Sequence, residues 1–342
     1  MSNLKSRLKR TAIASLVAIV LLVLGVFSAA NAWLNRPLAL RGPTVELSIE
    51  MGTSPREIAQ NWVAAGVQTK PWLLYEWFRW SGDSRRIRAG SYEIESGTTP
   101  RRLLSKMVRG DETLATVRLI EGWTFRQFRA ELAKADSLKP TTAAMTDEQI
   151  MAALGDPGMP PEGRFYPDTY AYSKGTSDLA VLKRAHKALQ TRLEAAWATR
   201  TANTPLRSAG DLLTLASIVE KETGVATDRA RVASVFINRL KISMPLQTDP
   251  TVIYGLGAAF DGNLRKADLL ADSPFNTYTR MGLPPTPISM PGKASLIAAV
   301  RPATSNALYF VARGDGSSEF SDDLVAHNRA VNLYQRGKAA AN

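Results

Sequence analysis

The sequence predicts an α+β protein held on one N-terminal transmembrane helix, and three features support that fold class. Residues 12–34 carry no charge and are long enough to span a bilayer. Between residues 45 and 134, three strand-like stretches each lead through a glycine turn into a capped helix. Beyond them, amphipathic helices alternate with proline-bearing loops. The prediction is a small βααβ subdomain followed by a larger mixed α+β domain.

The predicted organisation has five parts. Residues 1–11 are a cytoplasmic tail, 12–34 the transmembrane anchor, 35–43 a linker, 44–115 the small subdomain and 116–338 the larger domain. Basic residues ahead of the apolar segment favour an N-terminus in the cytoplasm, which places the bulk of the chain across the membrane. A cleaved signal peptide is the alternative, because residues 30–32 resemble a cleavage site.

Composition excludes several classes of site. The 342 residues include no cysteine and two histidines, which argues against a zinc site, a thiol nucleophile or disulfides. No Gly-x-Ser-x-Gly elbow, Walker loop or dinucleotide-binding glycine motif is present. A net charge of +12 fits an anionic membrane or wall polymer. It also fits nucleic acid, but the predicted location outside the cytoplasm argues against that partner.

The small subdomain is predicted from capped helices and an aromatic segment. Ser54, Pro55 and Glu57 form the start of the first of the three capped helices. Thr124 with Gln127 forms a capping box at the start of the third. Residues 71–80 are a helix rich in aromatic side chains, which we expect to be core. A short strand-helix-helix-strand unit of this kind resembles a LysM-like module, and the resemblance implies contact with an N-acetylglucosamine polymer.

Residues 210–224 predict a helix that carries two carboxylates within its apolar face. Asp211 lies near its start, and Gly224 is the expected stop. At about 100° per residue, Glu220 and Glu222 fall among the apolar side chains, whereas Lys221 falls on the far side. Burial raises the pKa of a carboxyl group, as a general acid near neutral pH requires. The alternative is that either glutamate pairs with an arginine or a backbone donor.

Long ordered loops are predicted around this helix. Residues 160–172 form a packed loop, and residues 244–255, 273–278 and 282–292 are expected to be irregular because Pro, Thr, Asn and Tyr are dense there. Loops of this kind often surround a functional site, and their hydroxyl and amide groups suit a sugar ligand. Simple structural turns are the alternative.

Six blocks in this region resemble one family. They are Glu162-Gly-Arg-Phe-Tyr-Pro-Asp-Thr-Tyr170, Ala216-Ser-Ile-Val-Glu-Lys-Glu-Thr223, Val235-Phe-Ile-Asn-Arg-Leu240, Leu246-Gln-Thr-Asp-Pro-Thr-Val-Ile-Tyr-Gly255, Ser273-Pro-Phe-Asn-Thr-Tyr278 and Gly282-Leu-Pro-Pro-Thr-Pro-Ile288. With them the chain resembles the MltG (YceG-like) family of endolytic murein transglycosylases. The resemblance implies a single-pass inner-membrane enzyme that faces the periplasm, with a LysM-like subdomain before a catalytic domain.

The resemblance also implies a reaction and a catalytic residue. The first Glu of the Val-Glu-Lys-Glu block, here Glu220, would be the acid in a peptidoglycan lyase that leaves 1,6-anhydro ends and needs no cofactor or metal. Partners would be glycan strands, the membrane and the wall synthases called penicillin-binding proteins. Candidates to orient Glu220 or hold sugars are Glu222, Gln247, Asp249, Asn276 and Tyr278.

The sequence departs from the family pattern at two positions, and two other functions are compatible with it. The family often has His where Ser318 stands and Asn where Met290 stands, so details of substrate binding could differ. A hydrolase that uses water as nucleophile needs the same residues. A wall-binding scaffold without activity is the other possibility, although the intact block around Glu220 argues against it.

Overall fold

The computed structural model describes residues 2–336, and one apolar helix opens the chain. Helix α1 is Ser2–Leu34. Its segment Ser15–Leu34 has a mean hydropathy of 2.3 and is exposed over its most apolar stretch, which fits a single-pass membrane anchor. The predicted end of the larger domain at residue 338 lies outside the described residues.

Two compact units follow from the pattern of contacts. The first runs to Ala115 and includes Ser173–Gly175, and the second contains Thr116–Tyr172 and the chain from Thr176 onward. Each unit has its own hydrophobic core, built from residues of that unit alone. The protein is therefore mixed α+β, with one N-terminal apolar helix.

The first unit contains a strand-helix-helix-strand core. After α1 its elements are β1 (Ala39–Leu40), β2 (Thr44–Ile49), α2 (Pro55–Ala65), β3 (Val67–Gln68), α3 (Pro71–Trp80), β4 (Gly90–Glu95) and α4 (Pro100–Arg109). Strand β2 pairs antiparallel with β4, with Val45 opposite Ile94, and β1 pairs antiparallel with β3. The hydroxyl of Ser54 accepts from the Glu57 amide, so the predicted cap starts α2.

The prediction that the aromatic side chains of α3 are core is wrong for two of them. Leu74 and Phe78, four residues apart, occupy the buried face of the helix. In contrast, Trp72 is 58% exposed and Trp80 is 77% exposed. A two- to three-turn helix packed on one side cannot bury five aromatic side chains, so these two remain at the surface.

The second unit is mainly helical. Its elements are β5 (Leu114–Arg118, which begins in the first unit), α5 (Phe125–Lys134), α6 (Asp147–Leu154), β6 (Thr169–Ser173), α7 (Asp178–Ala198), α8 (Ala209–Glu222), α9 (Arg229–Lys241), α10 (Asp249–Leu256), α11 (Lys266–Leu270), α12 (Lys293–Val300), β7 (Tyr309–Ala312), β8 (Ser318–Ser321) and α13 (Leu324–Val331). Strand β5 pairs with β6, and β7 pairs antiparallel with β8. A π-helical turn at Asn332–Arg336 follows α13.

Helix α8 forms the centre of the second unit. Every residue of α8 between its first turn and Val219 is buried, and the helix packs against α7, α9 and α12. Even Ser217, on the polar side of the wheel, is buried: its hydroxyl accepts from the Ile288 amide at 3.0 Å. The helix starts at the Ser208 cap, one turn before Asp211, and ends before Thr223, so Gly224 is not its C-cap.

Several loop predictions are wrong in part. Helix α10, Asp249–Leu256, overlaps the second half of residues 244–255, which were expected to be irregular. Pro250 stands in its first turn, where proline is tolerated. The predicted packed loop at residues 160–172 ends in strand β6. Strand β8 was not predicted. The third strand-like stretch is β5, which ends at Arg118, ahead of the glycine turn. The capping box at Thr124 is confirmed, and α6 has a capping box at Thr146 as well.

Candidate active site

Glu220 lies in the last turn of α8, where its carboxylate meets a backbone amide. Glu220 Oε2 accepts a hydrogen bond from Gly292 N at 2.9 Å, and the Glu220 side chain is half-buried. Two backbone bonds fix this geometry: Gly122 N donates to Met290 O at 2.8 Å, and Met290 N donates to Trp123 O at 2.7 Å. The buried helix therefore supplies the carboxylate, and the segment before α12 supplies its donor.

A second carboxylate that the sequence did not single out lies beside Gly292. A Cβ atom placed on Gly292 would lie 1.9 Å from Glu121 Oε1, so the Glu121 carboxylate packs directly against this glycine. Burial, and then the charge of Glu220, raise the pKa of Glu121, while Arg229 opposes them. Glu121 precedes the Gly-Trp-Thr turn, which the sequence marks only as a helix start. Nothing in the local pattern distinguishes it as a site residue.

The environment of the Glu222 carboxylate differs from that of the Glu220 carboxylate. Thr248 Oγ1 donates to Glu222 Oε1, and burial raises the pKa of Glu222, with Thr248 opposing and Asp249 adding to the rise. Two residues apart on a helix, the side chains point about 200° apart, and so one meets Gly292 and the other meets Thr248. The two carboxylates within the apolar face of α8 therefore contact different segments of the chain.

A cavity of about 470 Å³ opens on the Glu222 side. It is lined by Glu222, Arg239, Leu246, Gln247, Asp249, Tyr278, Tyr309, Phe310, Leu324, His327 and Asn328. The structure therefore brings together four of the predicted substrate-binding candidates: Glu222, Gln247, Asp249 and Tyr278. Tyr278 Oη donates to Asp249 Oδ1 at 2.5 Å, and burial, followed by Asp249, raises the pKa of Tyr278.

Asn276, the remaining candidate, does not line that cavity. It is 1% exposed, and its Nδ2 donates to the carbonyl oxygens of Asp268, Leu269 and Ala271. Its Oδ1 accepts from Tyr278 N at 2.9 Å. All of its polar atoms are thus used to hold the loop that presents Tyr278.

Glu162, in the loop predicted at residues 160–172, is buried. Its carboxylate accepts from Phe125 N at the start of α5 at 3.1 Å and from Tyr254 Oη at 3.2 Å. Burial raises the pKa of Glu162 to about 7, although these hydrogen bonds oppose the rise. By contrast, Asp168 is exposed. Glu162 therefore ties α5 to α10.

The two departures from the family pattern have defined places. Met290 is fully buried, and its backbone forms the two bonds that align residues 121–123 with the Gly292 amide. Ser318 begins β8, and its amide donates to Asp228 Oδ2 at 2.7 Å. Among residues 2–336, no group of three or more His, Asp or Glu side chains could hold a metal ion.

Together these features define an α+β protein with one N-terminal apolar helix, whose candidate site combines carboxylates of one buried helix with surrounding hydroxyl-bearing loops. The model of the YceG-like family matches residues 47–333. The chain therefore belongs to the YceG-like family.

Characterised relatives agree with this membership. An endolytic murein transglycosylase of Bacillus subtilis (strain 168) is 32% identical over 313 residues, which cover 86% of each chain. Another of Streptococcus pneumoniae, serotype 2 strain D39, is 26% identical; the match covers 86% of this chain but 59% of that longer protein. The crystal structure of a putative yceG-like protein from Listeria monocytogenes is 31% identical, with a TM-score of 0.54, over 84% of this chain and 98% of that one.

Proposed function

We propose that this chain is an endolytic peptidoglycan lytic transglycosylase that cleaves the β-1,4 bond between N-acetylmuramic acid and N-acetylglucosamine within glycan strands. Support comes from membership of the YceG-like family and from relatives named as endolytic murein transglycosylases. The observation that carries the assignment to a site is the position of Glu220, whose carboxylate rests on the Gly292 amide beside Glu121.

In the proposed reaction Glu220 acts first as acid and then as base. Its proton passes to the bridging oxygen as the bond from C1 to that oxygen breaks, through an oxocarbenium-like transition state. The resulting carboxylate takes the proton of the muramoyl C6 hydroxyl, whose oxygen attacks C1. The product is a 1,6-anhydro end, no water is consumed, and Glu220 regains its proton. The Gly292 amide stabilises the ionised form of Glu220 between the two transfers.

The other predicted residues are proposed to hold the substrate. Glu222, Gln247, Asp249 and Tyr278 line one cavity and offer carboxylate, amide and phenol groups to a bound chain. Asn276 would act indirectly, because it anchors the loop that carries Tyr278.

Location and partners extend the proposal. The apolar helix α1, at the start of the first unit, supports an inner-membrane anchor, with the chain after it in the periplasm where glycan strands lie. The strand-helix-helix-strand order of the first unit supports a LysM-like module that contacts the glycan. Trimming of new strands would place the enzyme beside the penicillin-binding proteins.

A digest of purified glycan strands tests the assignment. Full-length chain in detergent is compared with Glu220→Gln and with the control Glu194→Gln, an exposed residue of α7. We expect 1,6-anhydro ends, read by mass spectrometry, from the wild type and the control and none from Glu220→Gln. Reducing ends would instead indicate a hydrolase, and binding without cleavage by the wild type would indicate a scaffold.

A further inference from the structure

Arg239 of α9 is a buried cation without a counter-charge. It is 7% exposed, and its hydrogen bonds all end on uncharged oxygens: Nε on Leu308 O at 2.7 Å, and Nη1 on Pro245 O at 3.1 Å and Leu246 O at 2.9 Å, with Gln247 Oε1 farther at 3.4 Å. Within residues 2–336, no carboxylate forms an ion pair with it. Buried charges are normally paired, so this guanidinium lacks an anion.

The guanidinium of Arg239 is open to the cavity that Glu222 also lines. Arg239 lines it, its guanidinium lies 5.2 Å from the centre of the Tyr309 ring, and Nη2 makes none of the four hydrogen bonds. His327 stacks on the same ring, and its buried Nδ1 has no hydrogen-bond partner. Polar groups without partners on one wall of a cavity indicate a ligand that supplies oxygen atoms there.

The same cavity also has acidic lining residues, and these are already hydrogen-bonded within the protein. Thr248 donates to Glu222, and Tyr278 donates to Asp249. Neither carboxylate reaches Arg239, although all three residues line the same cavity. A neutral sugar would leave the charge of Arg239 uncompensated. A ligand that carries both a carboxylate and N–H donors complements the cation and the carboxylates that line this cavity.

Backbone strain points to the same place. Gln247 adopts a φ of 49°, a left-handed conformation that non-glycine residues rarely take. Its amide nevertheless donates to Thr277 O at 3.1 Å, which holds the strained turn in place. Strain of this kind persists where the surroundings fix it, and it is concentrated at ligand sites. Here it presents the Gln247 side chain to the guanidinium.

We propose that this cavity binds the peptide carried by the muramoyl residue of the glycan strand, with Arg239 pairing a peptide carboxylate. The proposal rests on the proposed function, because it takes the substrate to be peptidoglycan. Asp249 is then the acceptor for the N–H groups of the same peptide. The enzyme thereby prefers strands that still carry peptides over strands that have been stripped of them.

Removing Arg239 would expose three carbonyl oxygens that it satisfies, so a substitution there could unfold the protein. Gln247→Glu avoids this problem: it has nearly the same shape and supplies the missing counter-charge from within the chain. We expect this variant to fold with equal or higher thermal stability, while its internal carboxylate excludes that of the ligand. A matched control is Gln60→Glu, the same change at an exposed position of α2.

Binding is measured by calorimetry on full-length protein in detergent. The probes are a muramoyl tetrapeptide with free carboxylates, its fully amidated counterpart, and peptide-free muramic acid with a free lactyl carboxylate. We expect the wild type and Gln60→Glu to bind the first probe, and Gln247→Glu to bind it about tenfold or more weakly. Equal binding of the amidated peptide, unchanged binding by Gln247→Glu, or tighter binding of peptide-free muramic acid would overturn the proposal.

Cleavage assays separate this proposal from the proposed function. Wild-type cleavage of stem-bearing and stripped strands at equal kcat/KM would refute the peptide site and leave the transglycosylase intact. Failure to cleave either strand, with the carboxylate-dependent peptide binding retained, would refute the activity and leave the binding site. In Gln247→Glu we expect KM for stem-bearing strands to rise toward the KM that the wild type shows for stripped strands.

Discussion

Glu220 Oε2 lies 2.9 Å from the amide nitrogen of Gly292, and the Glu121 carboxylate packs against the Cα atom of the same glycine. One backbone position thus separates two carboxylates that come from distant parts of the sequence. Gly292 has a φ of −79°, which any residue can adopt. A glycine is needed here for space, since no unusual backbone conformation requires it.

Substitution of this glycine tests whether the arrangement is used. In Gly292→Ala the new Cβ would lie 1.9 Å from Glu121 Oε1, so the Glu121 side chain must move. Because that side chain is flexible, we expect less than about 1 kcal/mol of lost stability but about a ten- to hundredfold loss of kcat. Gly224→Ala, which meets no atom within 4 Å, is the control. Full activity in Gly292→Ala would show that catalysis does not depend on the position of Glu121.

Titration of Glu121 reports whether the two carboxylates interact. Burial and the Glu220 charge together raise the pKa of Glu121. In Glu220→Gln the charge is gone while the burial remains, so we expect the pKa of Glu121 to fall but to stay above its usual value. The measurement is NMR of ¹³C-labelled glutamate carboxyl groups, with Glu121→Gln used for assignment. An identical titration in both proteins would mean that the charges are too far apart to couple.

The sequence predicts the helical frame of the site well and its tertiary contacts poorly. The period of apolar residues locates α8 and places Glu220 and Glu222 in its apolar face, because periodicity is a local property, whereas the predicted stop at Gly224 is wrong. That the two side chains meet different partners depends on which loops pack beside α8. Pairing of Gly122 with Met290 joins residues far apart in sequence, and no local pattern encodes it.

The environment of Arg239 is a second feature of the site that the sequence does not predict. Within α9 it reads as an ordinary basic residue of an amphipathic helix. Its burial and its lack of an ion pair arise only when β7 and the segment before α10 close around it. Likewise, Trp72 and Trp80 lie in a segment rich in aromatic residues. Only the packing of that segment determines which of its aromatic side chains are exposed to solvent.

Glu162 should make the stability of the protein depend on pH. Its pKa is about 7 in the folded chain and 4.5 without burial, so the unfolded chain ionises first as pH rises. The stabilising effect of the protonated group is complete below pH 4.5 and is lost as pH rises through about 7. The difference corresponds to about 3 kcal/mol at most.

A neutral substitution removes this dependence. In Glu162→Gln the side chain cannot ionise, so we expect the wild type to lose about 3 kcal/mol relative to the variant as pH rises from 4 to 8. Urea unfolding at each pH measures the free energy of unfolding, and Glu194→Gln at the surface of α7 serves as control. A difference between wild type and Glu162→Gln that stays constant with pH would mean that the buried carboxyl does not titrate in this range.

The exposed tryptophans of α3 provide a test of the proposed glycan contact in the first unit. Trp72 and Trp80 offer flat apolar faces at 58% and 77% exposure, and such faces suit the apolar side of a sugar ring. Neither side chain supports the core, so Trp72→Ala and Trp80→Ala should change stability by less than about 0.5 kcal/mol. Phe78→Ala, on the buried side of the same helix, should instead cost about 3–5 kcal/mol.

Because the tryptophan variants should be as stable as the wild type, a loss of glycan binding in them cannot be attributed to unfolding. We expect the two tryptophan variants, at unchanged thermal stability, to bind N-acetylglucosamine oligomers several-fold more weakly than the wild type. Binding is followed by calorimetry, because the substitutions remove part of the tryptophan fluorescence. If both variants bind as the wild type does, the glycan contact lies elsewhere on the chain.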